Sequence, residues 1–368
     1  MPDEVVYTPK LERDLEPYAR ALHGWMQEHM PDAESLRISE LSIPHGIGHS
    51  NETVFYSASW REAGEERGAR YVARIEPPDG GVFPLQTPAC EISCELQYRM
   101  MDTVGRLGAA PVPRLVSFER DASVLGRPFF AMEFVRGQIP LDMPRYSQEG
   151  FIPDATPEQR SRLVFAGLDA MVGLHTIDWR EAGLQWLDVT GGSEEPTLQH
   201  QLDVYREFTL RQLAGREHPV LMRTFEWLEA NMPDAETGMS WGDARIGNQI
   251  HDDFRCAAVV DWEAASLGPR EQDIGWWIMF DRMSYEGMGI ERPPGMPSLD
   301  EQLAYYEDKR GQRIAGDIHY WEVFAVMRFD AIMVKLGDRA VSEGRLPKGQ
   351  ELAMSGWLAE QLDEMISR

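Results

Sequence analysis

Apolar residues recur at helical spacing early in the chain. Leu11, Leu15, Tyr18, Ala19, Leu22 and Met26 predict an amphipathic helix over residues 11–30. The period then changes. Leu36-Arg37-Ile38-Ser39-Glu40-Leu41 alternates, P-H-G-I-G-H-S-N interrupts the run, and Thr53-Val54-Phe55-Tyr56 resumes it. This reads as strand, turn, strand. A third strand is predicted from Tyr71 to Ile75, a helix from Pro88 to Val104, and further strands around 114–119 and 129–134. From Thr156 the pattern becomes helical. Thr156 suits an N-cap with Pro157 in the first helical position, and this helix should run to about His175. Helices are also expected over 198–214, 219–231, 274–281, 300–310 and 319–336, with long loops at 137–156 and 286–299. The chain therefore divides into a mostly β part, 1–135, and a mostly helical part, 136–368.

At 368 residues the chain is long enough for two domains or one large two-lobed unit. Its hydrophobic fraction, 43%, provides for a real core. A net charge of −25 argues against nucleic acid as a main partner. The cysteines Cys90, Cys94 and Cys256 share no repeated spacing, so a disulfide framework is not expected. The N-terminus lacks the basic start and apolar stretch of a signal peptide, and no apolar run spans a membrane. A cytoplasmic protein without a membrane partner is expected.

The chemistry concentrates between Ser240 and Asp261, S-W-G-D-A-R-I-G-N followed by an apolar run ending V-V-D. Asp243 precedes Asn248 by five residues, and Asp261 follows thirteen later. This layout suits phosphoryl transfer. One carboxylate, Asp243, would accept the proton of an attacking hydroxyl. An amide oxygen from Asn248 and a carboxylate from Asp261 would hold Mg²⁺ against a nucleotide's phosphates. Taken singly, Asp243 and Asn248 also suit turns, and Asp261 a helix N-cap. Gly46-Ile47-Gly48 lies between two strands, where glycine lets backbone approach a phosphate; a hairpin turn is the alternative.

W-G-D-A-R-I-G-N, V-V-D-W-E-A-A-S-L-G and the later Asp273 resemble the aminoglycoside phosphotransferase and choline kinase-like family. Arg74-Ile75-Glu76-Pro77-Pro78 is similar to the branch that includes the kinase-like part of acyl-CoA dehydrogenase fusions. Pro111-Val112-Pro113-Arg114 and Gly173-Leu174-His175 extend the resemblance over roughly residues 36–340.

The resemblance implies an α+β, protein-kinase-like two-lobed fold, with a small antiparallel-sheet N-lobe and a larger, mainly helical C-lobe. It implies ATP or GTP as phosphoryl donor, Mg²⁺, and a small hydroxylated acceptor. By the same resemblance Gly46, Gly48, Ser50 and Asn51 would cover the phosphates. Arg74 would stand in the place of the usual phosphate-gripping Lys, oriented by Glu95, with Glu91 as the other choice. Met132 would border the adenine pocket at the hinge, Glu133 and Val135 would offer it backbone groups, and Asp273 would tie down the catalytic loop. His175 would be a packed structural histidine. Trp241 departs from the family, which has His there. Arg245 is open between a contact to the transferred phosphate and a surface position. Acceptor choice is expected in 137–155, 186–205 and 283–318. Against the kinase reading stand a nucleotide-binding sensor or scaffold without transferase activity and, within it, an antibiotic-modifying enzyme.

Overall fold

A computed structural model of the protein describes residues 15–43, 52–78 and 80–367. The loop carrying Gly46, Gly48, Ser50 and Asn51 lies outside the described residues.

The N-lobe is built on a five-stranded antiparallel sheet, in the order β1 (Glu34–Ser42), β2 (Glu52–Glu62), β3 (Glu65–Ile75), β5 (Phe129–Glu133), β4 (Leu115–Glu119). Ala63 and Gly64, both at positive φ, close the β2–β3 hairpin as a two-residue turn, matching strand twist. Alternation assigns the two faces. Tyr71, Ala73 and Ile75, with Phe129 and Ala131, pack with Leu22, Trp25 and Met26 of α1 (Glu16–His29). Val72, Phe130 and Met132 face the other way, against α2 (Ser93–Leu107). Arg74 shares the face of Val72 by strand alternation and so looks toward the C-lobe.

The helix foreseen from Pro88 starts at Ser93 instead. Glu76 accepts hydrogen bonds from the Ser93 and Cys94 backbone N–H groups at 3.1 and 2.7 Å, satisfying orphan donors of the first turn. Segment 80–92 is therefore a strap. It leaves the N-lobe and docks on the C-lobe, where Val82 joins the core around Trp276 and Trp321 and Lys335 donates to the Gly81 carbonyl at 2.6 Å.

In the C-lobe, α3 (Pro157–His175) opens with a reciprocal capping box: Thr156 Oγ1 accepts from the Gln159 N–H, and the Gln159 side chain accepts from the Thr156 N–H. The helices α4 (Leu198–Leu213), α5 (Pro219–Ala230), α6 (Glu271–Ser284), α7 (Leu299–Arg310), α8 (Ile318–Ser342) and α9 (Gly356–Ile366) follow. Two short antiparallel pairs interrupt them: β6 (Thr237–Ser240) with β9 (Ser266–Pro269), and β7 (Gln249–Asp252) with β8 (Arg255–Val259). α8 crosses the middle of the lobe, and Val323, Phe324, Val326 and Met327 are completely buried.

His251, on β7, is buried, and among the described residues neither ring nitrogen has a hydrogen-bond partner. Burial lowers its pKa from 6.5 to about 4. The native imidazole stays neutral where the unfolded one takes a proton. Stability from this residue is thus complete above pH 6.5 and declines as pH falls toward 4, by about 3 kcal/mol at most. His251→Leu should flatten that part of a melting-temperature profile between pH 7 and 4. An unchanged slope would assign the acid sensitivity elsewhere.

Candidate active site

The site is assembled from two loops held edge to edge. The β6–β7 connection carries Trp241 to Asn248, and the β8–β9 connection carries Val260 to Ala265. The Val260 N–H donates to the Asn248 carbonyl at 3.0 Å, locking one loop to the other. At Gly242 the chain has φ +89°, and a Cβ there would lie 2.0 Å from the Ala264 carbonyl oxygen. Only glycine permits this crossing.

Asp273, fully buried near the start of α6, fixes the loop. Its carboxylate accepts from Ser240 Oγ (2.6 Å), the Trp241 N–H (2.7 Å), the Gly242 N–H (2.8 Å) and His175 Nε2 (2.9 Å). His175 Nδ1 contacts the Tyr306 hydroxyl at 2.7 Å. Burial acts to raise the Asp273 pKa, but the His175 contact and the other donors outweigh it and hold the group below the ordinary carboxylate value. Arg328 of α8 supports the loop from the far side, donating to the Gly242 carbonyl at 2.7 Å.

Asp243 is almost entirely buried, and both its oxygens are engaged. Oδ1 accepts from Trp276 Nε1 at 2.7 Å and Arg245 Nε at 3.0 Å; Oδ2 accepts from Asn248 Nδ2 at 2.6 Å. Asn248 Nδ2 also reaches the Asp243 carbonyl at 3.0 Å, so the amide oxygen of Asn248 is turned away from Asp243. Asp261 sits at φ +58°, a conformation that costs a non-glycine residue energy and is common at functional sites. Its Oδ1 accepts from Arg74 Nη2 at 2.6 Å, while Arg74 Nη1 donates to Thr53 Oγ1 at 3.1 Å. Asp243, Asn248, Asp261 and Arg74 thus converge across the interlobe cleft.

Glu95 does not partner Arg74. Glu95 pairs with Arg120 near the end of β4, and Arg74 reaches across the cleft to the carboxylate of Asp261. Glu91 is exposed. At the lobe junction, the Glu133 N–H is taken by the Arg114 carbonyl and the Phe134 N–H by the Arg70 carbonyl. Met132 is buried on the α2 side of the sheet, and Val135 lies just beyond β5.

Trp241 replaces the usual histidine with a donor of its own. Its indole N–H bridges the Val260 and Asp261 carbonyls at 3.0 and 3.1 Å. Arg245 is not a surface residue: it is inserted between Asp243 and Asp142. Burial works against its charge, and the two carboxylates more than restore it, raising its pKa. Trp276 and Arg328 were not foreseen. Trp276 carried a usable signal, since it follows Asp273 by three residues and so shares its helix face. Arg328, far away in sequence, carried none. Trp276→Phe should keep the ring but lose the bond to Asp243, lowering turnover about tenfold with nucleotide affinity unchanged. Steady-state kinetics with an accepted alcohol would check this, and an unaltered kcat would make Trp276 a packing residue only.

The phosphotransferase enzyme family matches residues 43–313. The chain belongs to this family. Acyl-CoA dehydrogenase family member 11 of Pongo abelii is 26% identical over 322 residues, covering 84% of this chain and 38% of that protein. The chain thus spans about two fifths of the length of this curated relative. A candidate aminoglycoside phosphotransferase from Ralstonia eutropha superposes with a TM-score of 0.68 at 24% identity, over 95% of this chain and 98% of the other. Aminoglycoside 2′-phosphotransferase-IIIa, solved with GDP, gives a TM-score of 0.56 at 14% identity, over 94% and 98% of the two chains. These likenesses establish the protein-kinase-like, two-lobed α+β fold. Among the described residues no helix is long and apolar enough to cross a membrane.

Proposed function

We propose that the protein transfers the γ-phosphate of ATP or GTP to a hydroxyl of a small acceptor, with Mg²⁺ as cofactor and Asp243 as general base. The observation that carries this reading is the convergence of Asp243, Asn248 and Asp261 on two interlocked loops beneath Arg74. The donor proposal is supported by the GDP complex of the structural neighbour.

The oxygen donors fit the ion. Asp261 offers a carboxylate and Asn248 an amide oxygen, the hard ligands that Mg²⁺ prefers. Among the described residues no group of three His, Cys, Asp or Glu side chains gathers as a metal cage, so phosphate and water would complete the shell. When bound, the ion would neutralise charge on the phosphate oxygens. Arg74 would exchange its bond to Asp261 for phosphate oxygens, which a guanidinium can grip bidentately. Met132 would border the base, Glu133 and Val135 would present backbone groups to it, and Gly46, Gly48, Ser50 and Asn51 would cover the phosphates.

Asp243 would take the acceptor proton as the new O–P bond forms. Trp276 and Asn248 hold its two oxygens in place, which fixes the carboxylate for an incoming hydroxyl. The salt bridge between Asp261 and Arg74, together with Trp241 in the usual histidine's place, favours a nucleotide-binding sensor or scaffold instead.

A thermal-shift titration of ATP and GTP with and without Mg²⁺, on wild type and Asp261→Ala, tests the donor site. A Mg-dependent stabilisation lost in the variant is the expected result. Phosphate transfer to a panel of hydroxylated compounds then separates enzyme from sensor: Mg-nucleotide binding without any transfer would favour the sensor.

A further inference from the structure

Segment 137–156 crosses the mouth of the site and is pinned on both sides of its exposed middle. Gln138 exchanges two backbone hydrogen bonds with His251, each 2.8 Å, and the Tyr146 hydroxyl donates to Asp281 Oδ1 at 2.7 Å. Between these anchors, residues 141–144 are exposed. Asp142, in that exposed stretch, reaches in to pair with Arg245, whose Nε holds Asp243. A second guanidinium stands beside it. Arg245 and Arg145 both lie over the Phe280 ring, 5.3 and 5.8 Å from its centroid. Arg145 is partly buried and makes no side-chain hydrogen bond or ion pair among the described residues.

Three charges therefore gather about the proposed base Asp243: the guanidiniums of Arg145 and Arg245 and the carboxylate of Asp142. They differ in exposure. The Asp142 side chain is 48% exposed, against 16% for Arg245 and 8% for Asp243. A pair with one solvated partner contributes little, so Asp142 is the member that can leave cheaply. Arg245, once uncovered, would keep Asp243 on its Nε but lose the partner of its Nη1, which a second anion could take. An anionic group can replace Asp142 with the charge balance unchanged. With Asp142 swung out, Arg145 and Arg245 together outweigh the single charge of Asp243, which favours an anion over an ammonium group there.

We propose that Arg145 and Arg245 form an anion cradle in the acceptor site, that Asp142 is its internal stand-in, and that the acceptor carries a carboxylate or phosphate near the hydroxyl to be phosphorylated. The inference rests on Asp243 being the base of the proposed kinase. It sets the acceptor apart from polyamine antibiotics. The loop bearing Asp142 opens as the anion enters and thereby exposes Asp243 to the hydroxyl.

Crystals of wild type, Asp142→Asn and Asp142→Asn/Arg145→Gln soaked in selenate would locate the cradle. An anomalous peak between the two guanidiniums in Asp142→Asn, lost in the double variant, is expected. No peak there in Asp142→Asn would overturn the proposal. In solution, Arg145→Gln introduced into Asp142→Asn should weaken sulfate binding about tenfold and leave the Kd of Mg-AMP-PNP within about twofold. Equal weakening of both ligands would assign Arg145 to the donor phosphates and also overturn it. Failure of the kinase reading would show separately, as wild-type protein that does not bind Mg-AMP-PNP.

Discussion

Asp243→Ala lowers phosphate transfer by about 10²–10⁴-fold and leaves the Kd for Mg-nucleotide within a few-fold of wild type. The split follows from geometry. Asp243 faces Trp276, Arg245 and Asn248. The side chain proposed to hold Mg²⁺ with Asn248 is Asp261, fixed by the separate link between Val260 and Asn248 and by Arg74. Losing the carboxylate removes the proposed proton acceptor without removing the proposed donor site. Folding should survive, because Arg245 keeps Asp142 as a partner. Coupled-assay kinetics and nucleotide thermal shifts on one preparation measure both arms. Wild-type turnover in the variant would refute the assignment of the base, and a parallel collapse of nucleotide binding would show that Asp243 organises the whole loop instead.

The sequence made the site legible where its parts are close along the chain. Asp243, Asn248 and Asp261 sit on consecutive loops, so spacing and the family resemblance together grouped them, and the resemblance made Asp273 readable as the loop's anchor. Most helices and the inner strands were legible for a similar reason: half-buried elements reveal their period. Where burial is absent the signal fails. The outer parts of β2 and β3, from Ser57 to Arg70, are mostly exposed and polar, and their pairing comes from the Ala63-Gly64 turn and backbone hydrogen bonds. The strap 80–92 was mistaken in part for helix because docking on another lobe leaves no local pattern. Pairs distant in sequence were invisible. Arg74 lies 187 residues from Asp261, and Arg245 lies 103 from Asp142; each charge had several possible partners, and only the packed fold selects among them.

Removing the Asp273 carboxylate should be the most damaging single change to the fold around the site. Asp273→Ala strands the Trp241 and Gly242 N–H groups and the Ser240 hydroxyl in a buried setting, and leaves His175 with Tyr306 alone. Each buried donor left unpaired costs about 1–3 kcal/mol, and removing one partner of a buried charged network typically costs about 3–5 kcal/mol. At a few degrees per kcal/mol, the melting temperature should fall by on the order of 10 °C. Amide exchange at Trp241 and Gly242 should accelerate, since those two N–H groups lose their acceptor. The carboxylate's depressed pKa fixes the pH dependence. Its contribution is complete above the ordinary value near 4 and fades only as pH falls through the lower native value, so the deficit of Asp273→Ala relative to wild type should persist from neutral pH to about pH 4 and narrow below that. Tyr306→Phe, which touches only the far side of His175, should cost much less and leave Gly242 protected. If Asp273→Ala melted like wild type with Trp241 and Gly242 still slow to exchange, the catalytic loop would have to be held by Arg328 and the Gly242–Ala264 crossing alone.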